Sequence, residues 1–451
     1  MRARRRPQPC RRSCGETDQN FNGTDEQHHG QRQQRWSQRR RRKARQALQA
    51  GQRGQAAEGE RGRPEEVRPK EAEGSQAMTT PGPEKLLHGV EQLEPLTDPR
   101  FRAAFDRVDR GAFVPSTVWP YDDSDGHFWP LDRDTYRDLW QDIVYSNEPV
   151  ITQVDERGAS SSASMPSVVF MMLRHLDIAN GMRVLEAGTG TGYNAALLSY
   201  LAGDANVTTV ETDADIAAAA TAALKRNGFH PHVVTRDGSQ GYPPNAPYDR
   251  IIATYAVQFV PYAWVEQCRS GGLIVTPWGT PFDDNVLLRL TVHDDHTASG
   301  HFIDTVNFMS DRGQRPEHPF IRDTVSDDHE VAMSHADLDP RAVLDDEHAA
   351  FTIGLRVPDC HESTVHAADD TGRFTLWVLA HDSTSWASVS FDPTEAGWEV
   401  RQHGRRRLWD EVEAAYRWWI DAGRPERERY GVTITRDGQE IWLDHPTGEH
   451  A

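Results

Sequence analysis

Apolar and polar residues are arranged along the chain in three distinct textures. Up to about residue 80 the text is dominated by Arg, Gln, Gly and Glu, with Phe21 and Trp36 as its aromatics, too little apolar surface to offset the entropy of ordering a chain. Residues 1–80 are therefore expected to be a disordered basic tail. From about 95 the pattern changes: Phe101, Ala104, Phe105 and Val108 recur at helical spacing, and Phe113-Val114-Pro115 closes the element. Residues 120–165 are rich in Pro, Asp and Ser, with a short strand predicted at 150–154, and 168–176 predicts an apolar helix. Strands and helices then alternate through about 280. That alternation predicts an α/β fold, a Rossmann-like parallel sheet with helices on both faces.

Beyond 283 the texture changes again. Val286–Val292 and 301–308 read as strands, 309–350 is acidic and His-rich, and Trp377, Trp386, Trp398, Trp409, Trp418, Trp419 and Trp442 crowd the last 75 residues. Val412, Tyr416, Trp419 and Ile420 lie at helical spacing and Gly423 is placed to stop that helix. The expected organisation is a tail at 1–80, one α/β domain at 81–282 and a C-terminal α+β domain at 283–451. The tryptophans read as core, with a peptide groove as the alternative.

Charge sharpens this division. The net charge of -19 hides 19 Lys and Arg against 10 Asp and Glu in residues 1–77, leaving 31 against 59 in the remainder. An acidic body repels nucleic acid and anionic lipid, so neither is an expected partner of the folded part. The basic run at 39–45 reads as a solvated tail, with a nucleic-acid arm as its functional alternative. Met78-Thr79-Thr80-Pro81 opens into ordinary globular composition, so the upstream text also reads as translated leader. Cys10, Cys14, Cys268 and Cys360 are too scattered for a disulfide framework, and neither they nor His329, His335, His348, His361 and His366 have zinc-site spacing. No metal is expected. No run of 18 apolar residues occurs, and a cytoplasmic setting is expected.

The strongest local signal is Arg183-Val184-Leu185-Glu186-Ala187-Gly188-Thr189-Gly190-Thr191-Gly192-Tyr193, a strand running into glycines and then a helix at 194–200. Such a turn brings backbone N–H groups and a helix N-terminus close to a ligand. The glycines fall as GxGxG directly after the carboxylate of Glu186, not as the GxGxxG of a pyrophosphate site. A carboxylate there repels pyrophosphate and tolerates the ammonium and sulfonium groups of S-adenosylmethionine, which favours that cofactor over a dinucleotide. Glu211 ends the next strand, placed to accept hydrogen bonds from ribose hydroxyls, and Asp237-Gly238 ends a third, near an adenine edge. The expected cofactor-binding set is Glu186, Gly188, Thr189, Gly190, Gly192, Glu211, Asp237 and Gly238.

At these residues, over about 98–282, the chain resembles the protein-L-isoaspartate O-methyltransferase family. Arg110-Gly111-Ala112-Phe113-Val114-Pro115 resembles the exit of the family's amino-terminal helix, and Ser160-Ser161-Ser162-Ala163-Ser164-Met165-Pro166 its Ser-x-Pro active-site loop. Tyr248-Asp249-Arg250-Ile251-Ile252-Ala253-Thr254 resembles the fourth strand, and the stretch from Gly271 through Pro277-Trp278-Gly279 the fifth. The residue between Ser and Pro, commonly Gln in the family, is Met165 here.

The resemblance implies an S-adenosylmethionine-dependent protein carboxyl O-methyltransferase, acting on a protein or peptide that bears aspartate or isoaspartate. It places Ser164 as the active-site serine, donating a hydrogen bond that orients the substrate rather than attacking it. A carboxyl with pKa near ~4 is already ionised at neutral pH, so positioning and exclusion of water carry the rate. Repair of isoaspartyl proteins is the first expectation. A tailoring enzyme that esterifies an aspartate of a ribosomally made peptide, giving aspartimide or isoaspartate, is the second, and a non-catalytic binding module with a basic arm the third.

Overall fold

A computed structural model describes residues 82–122, 126–156, 158–282, 286–315, 319–367, 369 and 371–446. The tail expected at 1–80 lies outside the described residues. The helices Pro83–Glu91 and Pro99–Arg107 come first, the second capped by Asp98, whose side chain accepts from the Arg100 N–H. Phe101, Ala104 and Phe105 turn inward from it, as their spacing predicts. Strand β1 (Thr117–Val118) pairs antiparallel with β4 (Leu131–Asp132). Between them β2 (Tyr121–Asp122) and β3 (His127–Phe128) form a separate hairpin, whose Tyr121 and Phe128 rings meet edge-on at 5.1 Å.

β5 (Val150–Asp155) and β6 (Gly158–Ala163) form the next hairpin, leading into the helix Pro166–Leu176. The serines at 160–162 are thus strand residues, not a loose linker, because pairing with β5 satisfies their backbone groups. The chain then alternates through β7 (Val184–Ala187), the helix Tyr193–Ala202, β8 (Val207–Glu211), the helix Ala214–Arg226, β9 (His232–Thr235), β10 (Tyr248–Ala253), the helix Tyr262–Gln267 and β11 (Cys268–Trp278). β12 (Val286–Val292) and β13 (Ala298–Thr305) follow. β14 (Ala332–Ala336), β15 (Cys360–His366), β16 (Phe374–Ala380), β17 (Trp386–Phe391) and β18 (Trp398–His403) make a second sheet in the order 14-18-17-16-15, before β19 (Tyr430–Thr435) and β20 (Gly438–Leu443) return to the first.

The main sheet has nine strands in the order 20-19-13-12-11-10-7-8-9. Strands β7 to β11 are mutually parallel, and β12, β13, β19 and β20 extend them antiparallel. Side chains alternate between its faces. Val184, Ile252 and Val275 join Phe101, Phe170 and Leu197 in one core, while Leu185, Ala187, Ile251 and Ile274 join Trp264, Trp278 and Phe351 in the other. Each of the Val, Leu, Ile and Phe side chains among them contributes roughly 1.5–3 kcal/mol on burial.

The division expected at 282 falls between two neighbouring strands of this sheet. β11 and β12 pair from Leu273↔Thr291 to Trp278↔Val286, and both are largely buried in its interior. Residues 332–421 are the part that builds its own sheet, backed by the helices Glu347–Arg356 and Leu408–Asp421. Trp386, Trp398, Trp409, Trp419 and Trp442 are buried, Trp398 and Trp409 in a third core on the second sheet. Ile420, read with them as one apolar face, is 38 % exposed. Among the described residues no helix is long and apolar enough to cross a membrane.

Candidate active site

In an open parallel sheet, ligands bind beyond the carboxyl ends of strands where the strand order reverses. Here that point is β7, flanked by β8 on one side and β10 on the other. The turn at 188–192 leaves β7 there, with Gly188, Gly190 and Gly192 at φ of 94°, 52° and 85°, a left-handed region that L side chains rarely adopt. A Cβ on Gly188 would stand 2.6 Å from the Thr254 hydroxyl and 2.9 Å from the Tyr255 ring. A Cβ on Gly190 would stand at ordinary van der Waals distance, 3.6 Å, from the Ser162 carbonyl oxygen. The glycine turn and β6 thus approach closely here, leaving little room for a side chain at position 190.

Glu211 ends β8 and is nearly buried; its carboxylate accepts from the N–H groups of Gly190 at 2.9 Å and Asp213 at 3.2 Å. A carboxylate offers about four acceptor positions, so it can hold the turn and still receive hydroxyl groups. Asp237 follows β9, caps a short turn through the Ser239 N–H at 2.9 Å, and is exposed. A Cβ on Gly238 would lie 2.6 Å from the Tyr255 hydroxyl. The Tyr255 ring therefore walls the crevice from Gly188 to Gly238. Its hydroxyl is held well above the usual tyrosine range by burial and then by the charges of Asp311, Asp237 and Glu211.

Glu186 is placed differently from the expectation that its charge meets the cofactor. It is 0 % exposed and faces the helix side of β7, one oxygen accepting from Asn194 Nδ2 at 2.8 Å and the other bonded to Thr209 Oγ1 at 2.6 Å. Thr209 in turn meets Thr189 Oγ1 at 2.6 Å, also buried. The group supports the turn from beneath. Burial pushes its carboxyl up to about 8, with the Thr209 and Asn194 hydrogen bonds opposing and the Glu211 charge adding.

This has a measurable sign. Below its ordinary value of 4.5 the carboxyl is protonated in folded and unfolded chains alike, whereas between 4.5 and about 8 only the folded chain keeps the proton. Stability therefore falls as pH rises through that window, by up to about 1.4 kcal/mol per pH unit from this group. Glu186→Gln mimics the protonated acid without titrating. Urea midpoints of the variant should match wild type near pH 4.5 and exceed it increasingly towards pH 8; parallel curves would refute the buried neutral carboxyl.

Ser164 follows β6 directly, half-buried, in the hairpin that packs over Gly190. Its backbone is fixed by Arg110, which is 1 % exposed. Arg110 Nη1 donates to the carbonyls of Val144 and Ser146, both at 2.9 Å, and Nη2 to those of Glu148 at 2.7 Å, Ala163 at 3.1 Å and Ser164 at 3.0 Å. One guanidinium thus ties the segment before β5 to the end of β6.

A further wall stands at the crevice, contributed by residues that follow β13. Ala256, just past β10, donates to the Met309 carbonyl at 2.8 Å and accepts from the Asp311 N–H at 2.7 Å. This brings Asp311 and Arg312 to the crevice. Burial raises the Asp311 carboxyl, the Gly313 N–H opposes, and the Asp237 charge adds. No local pattern marks these residues, which stand in a stretch legible only as acidic and polar. Among the described residues no group of three or more His, Cys, Asp or Glu could hold a metal.

A glycine cradle at the switch point, an acid on its rim at the end of β8 and another after β9 make this an S-adenosylmethionine-dependent methyltransferase of the α/β class. The model of the Protein-L-isoaspartate(D-aspartate) O-methyltransferase family matches residues 83–314, just over half of the chain. The chain belongs to that family. It is 38 % identical over 183 residues to a protein-L-isoaspartate O-methyltransferase of Methanoculleus marisnigri, covering 40 % of this chain and 70 % of that protein. A Thermococcus sibiricus protein of the same name is 39 % identical over 198 residues, 44 % of this chain and 77 % of its own length. Among solved structures, a protein-L-isoaspartate O-methyltransferase aligns with a TM-score of 0.46 at 20 % identity, over 80 % of this chain and all of its own.

Proposed function

We propose that this chain transfers a methyl group from S-adenosylmethionine to the free carboxylate of an L-isoaspartyl residue in a protein or peptide. The observation that supports the reading is the approach of β6, which Ser164 directly follows, to the glycine turn, where a Cβ on Gly190 would stand 3.6 Å from the Ser162 carbonyl oxygen. The 188–192 turn, Glu211, Asp237 and Gly238 hold the cofactor, and Glu186 and Thr189 brace the turn from below. When bound, the cofactor supplies an electrophilic methyl on sulfur. The protein needs no general base, because the acceptor carboxylate is already ionised near pH 7. Ser164 donates a hydrogen bond that aims the carboxylate, and the β5–β6 hairpin keeps water from it.

We assign the catalytic unit to residues 82–315 with β19 and β20, and residues 332–421 to a unit inserted between β13 and β19. Cys268 and Cys360 are free and buried, which suits a reducing, cytoplasmic setting. The inserted unit lies outside the family match at 83–314, and the second reading left to the test is a dedicated peptide carrying an ordinary aspartate. Radiolabelled methyl transfer to one peptide synthesised with isoaspartate and with aspartate separates the two. Preference for isoaspartate by about 100-fold or more is expected, and equal or reversed preference would overturn the main reading. Ser164→Ala should slow transfer by about 10- to 100-fold while leaving cofactor affinity unchanged; a normal rate would remove Ser164 from the mechanism.

A further inference from the structure

Arg312 stands outside both the glycine motif and the Ser-x-Pro stretch, yet it joins them. Its Nη2 donates to Gln153 Oε1 on β5 and to the Ser160 carbonyl on β6, both at 3.1 Å. Its Nη1 lies 3.7 Å from Asp213 Oδ2. Gln153 reinforces the link, donating from Nε2 to the same Asp213 oxygen at 3.2 Å and accepting from Ser160 Oγ at 2.9 Å.

Asp213 is the far end of the cofactor's own acid turn. Its N–H donates to Glu211, which also receives Gly190, and its side chain caps the helix Ala214–Arg226 through the N–H groups of Asp215 and Ile216. Burial works against its charge, but Ile216, Gln153, Asp215 and the Arg312 guanidinium outweigh it and hold the carboxyl below its ordinary range. The path from cradle to hairpin is therefore continuous: Gly190, Glu211, Asp213, then Gln153 and Arg312 together, then Ser160, four residues before Ser164.

We infer that Arg312 is a positioning residue that makes the seating of the Ser164 hairpin depend on occupancy of the cofactor cradle. The inference rests on the functional reading above for the identity of the two ligands. A ligand that orders the Glu211–Asp213 turn favours the state in which Gln153 and Arg312 are engaged. By linkage, a peptide that needs the seated hairpin then binds better when the cofactor is present, and the cofactor better when the peptide is. Arg312 is suited to this because its planar fork meets a carbonyl, an amide oxygen and a carboxylate at once, which a lysine ammonium cannot reproduce in one geometry. It reaches the hairpin from the segment after β13, so the strand-extending part of the chain takes part in seating the substrate serine.

The test uses the full chain with S-adenosylhomocysteine as the cofactor-site probe. Amide exchange of residues 150–163 should slow when the probe is added to wild type, and this protection should be lost in Arg312→Ala. The variant should keep its affinity for the probe within about 2-fold, and its KM for an isoaspartyl peptide should rise about 10-fold, with a smaller change in kcat. Arg312→Lys should restore only part of the protection. Equal probe-induced protection in wild type and Arg312→Ala would overturn the inference, as would a wild-type hairpin that does not respond to the probe. Should Arg312→Ala not fold, Arg312→Gln gives the same comparison. A wild type that methylates no isoaspartyl peptide would overturn the functional reading instead, and the exchange measurement, which needs no turnover, would still decide the role of Arg312.

Discussion

Replacing Gly190 with valine should weaken S-adenosylhomocysteine binding by about 100-fold or more, equivalent to about 2.7 kcal/mol, and abolish methyl transfer. Two effects act together. At φ of 52° a branched side chain bears left-handed strain of roughly 1–2 kcal/mol, and its methyl groups occupy the space between the turn and Ser162. The new Cβ itself meets no protein atom closer than 3.6 Å beyond its chain neighbours, so the variant is expected to fold. Gly271→Val is the control: Gly271 sits at φ of 71° in the bulge of β11, with nothing within 4 Å of a Cβ. It carries similar strain away from the crevice, so it should lower stability and leave the affinity intact. Calorimetric titration of both variants reads the difference; unchanged affinity in Gly190→Val would mean the cofactor sits elsewhere.

Arg110→Met should be the most destabilising single change at the site, by about 4 kcal/mol in urea unfolding. Methionine fills much of the volume but leaves carbonyls of Val144, Ser146, Glu148, Ala163 and Ser164 without the donors they have now. Each unsatisfied buried acceptor costs about 1–3 kcal/mol, softened where water can enter. Arg110→Lys should recover only a minor part, because three donors on one nitrogen cannot span the two groups of carbonyls. Under conditions where both variants remain folded, methyl transfer should fall further than cofactor affinity does. A loss of stability below about 1 kcal/mol in Arg110→Met would show that the carbonyl cluster is solvated rather than held.

Features that depend on local chemistry could be read from the sequence. The glycine turn after β7, the end of β8 at Glu211 and the inward face of Phe101, Ala104 and Phe105 are each set by a few consecutive residues. Features set by distant partners could not. Glu186 looked like a ligand because it precedes the glycines. Its orientation is decided by the alternation of β7, and its partners Asn194 and Thr209 lie on two other elements. The serines at 160–162 have the composition of a loop and became a strand only through pairing with β5. Arg110 and Arg312 act through partners 34 to 54 and 99 to 159 positions away in the chain, distances at which no periodicity survives. The change of texture at 282 coincides with the turn of the sheet from parallel to antiparallel pairing.

The continuation of the sheet beyond β11 changes how truncated chains should be interpreted. A chain shortened to residues 83–314 would lose β19, which pairs with β13 from Ala298↔Ile434 to His301↔Gly431, leaving β13 as a bare edge open to other strands. It would also lose Phe351, whose ring lies 6.2 Å from that of Trp278 and 5.1 Å from that of Phe302, uncovering an aromatic face that water does not solvate well. An inactive or insoluble fragment would then report a broken folding unit and say nothing about whether residues 332–421 read the substrate. Point changes on the surface of that inserted unit, in an otherwise whole chain, are the variants that can separate recognition from folding.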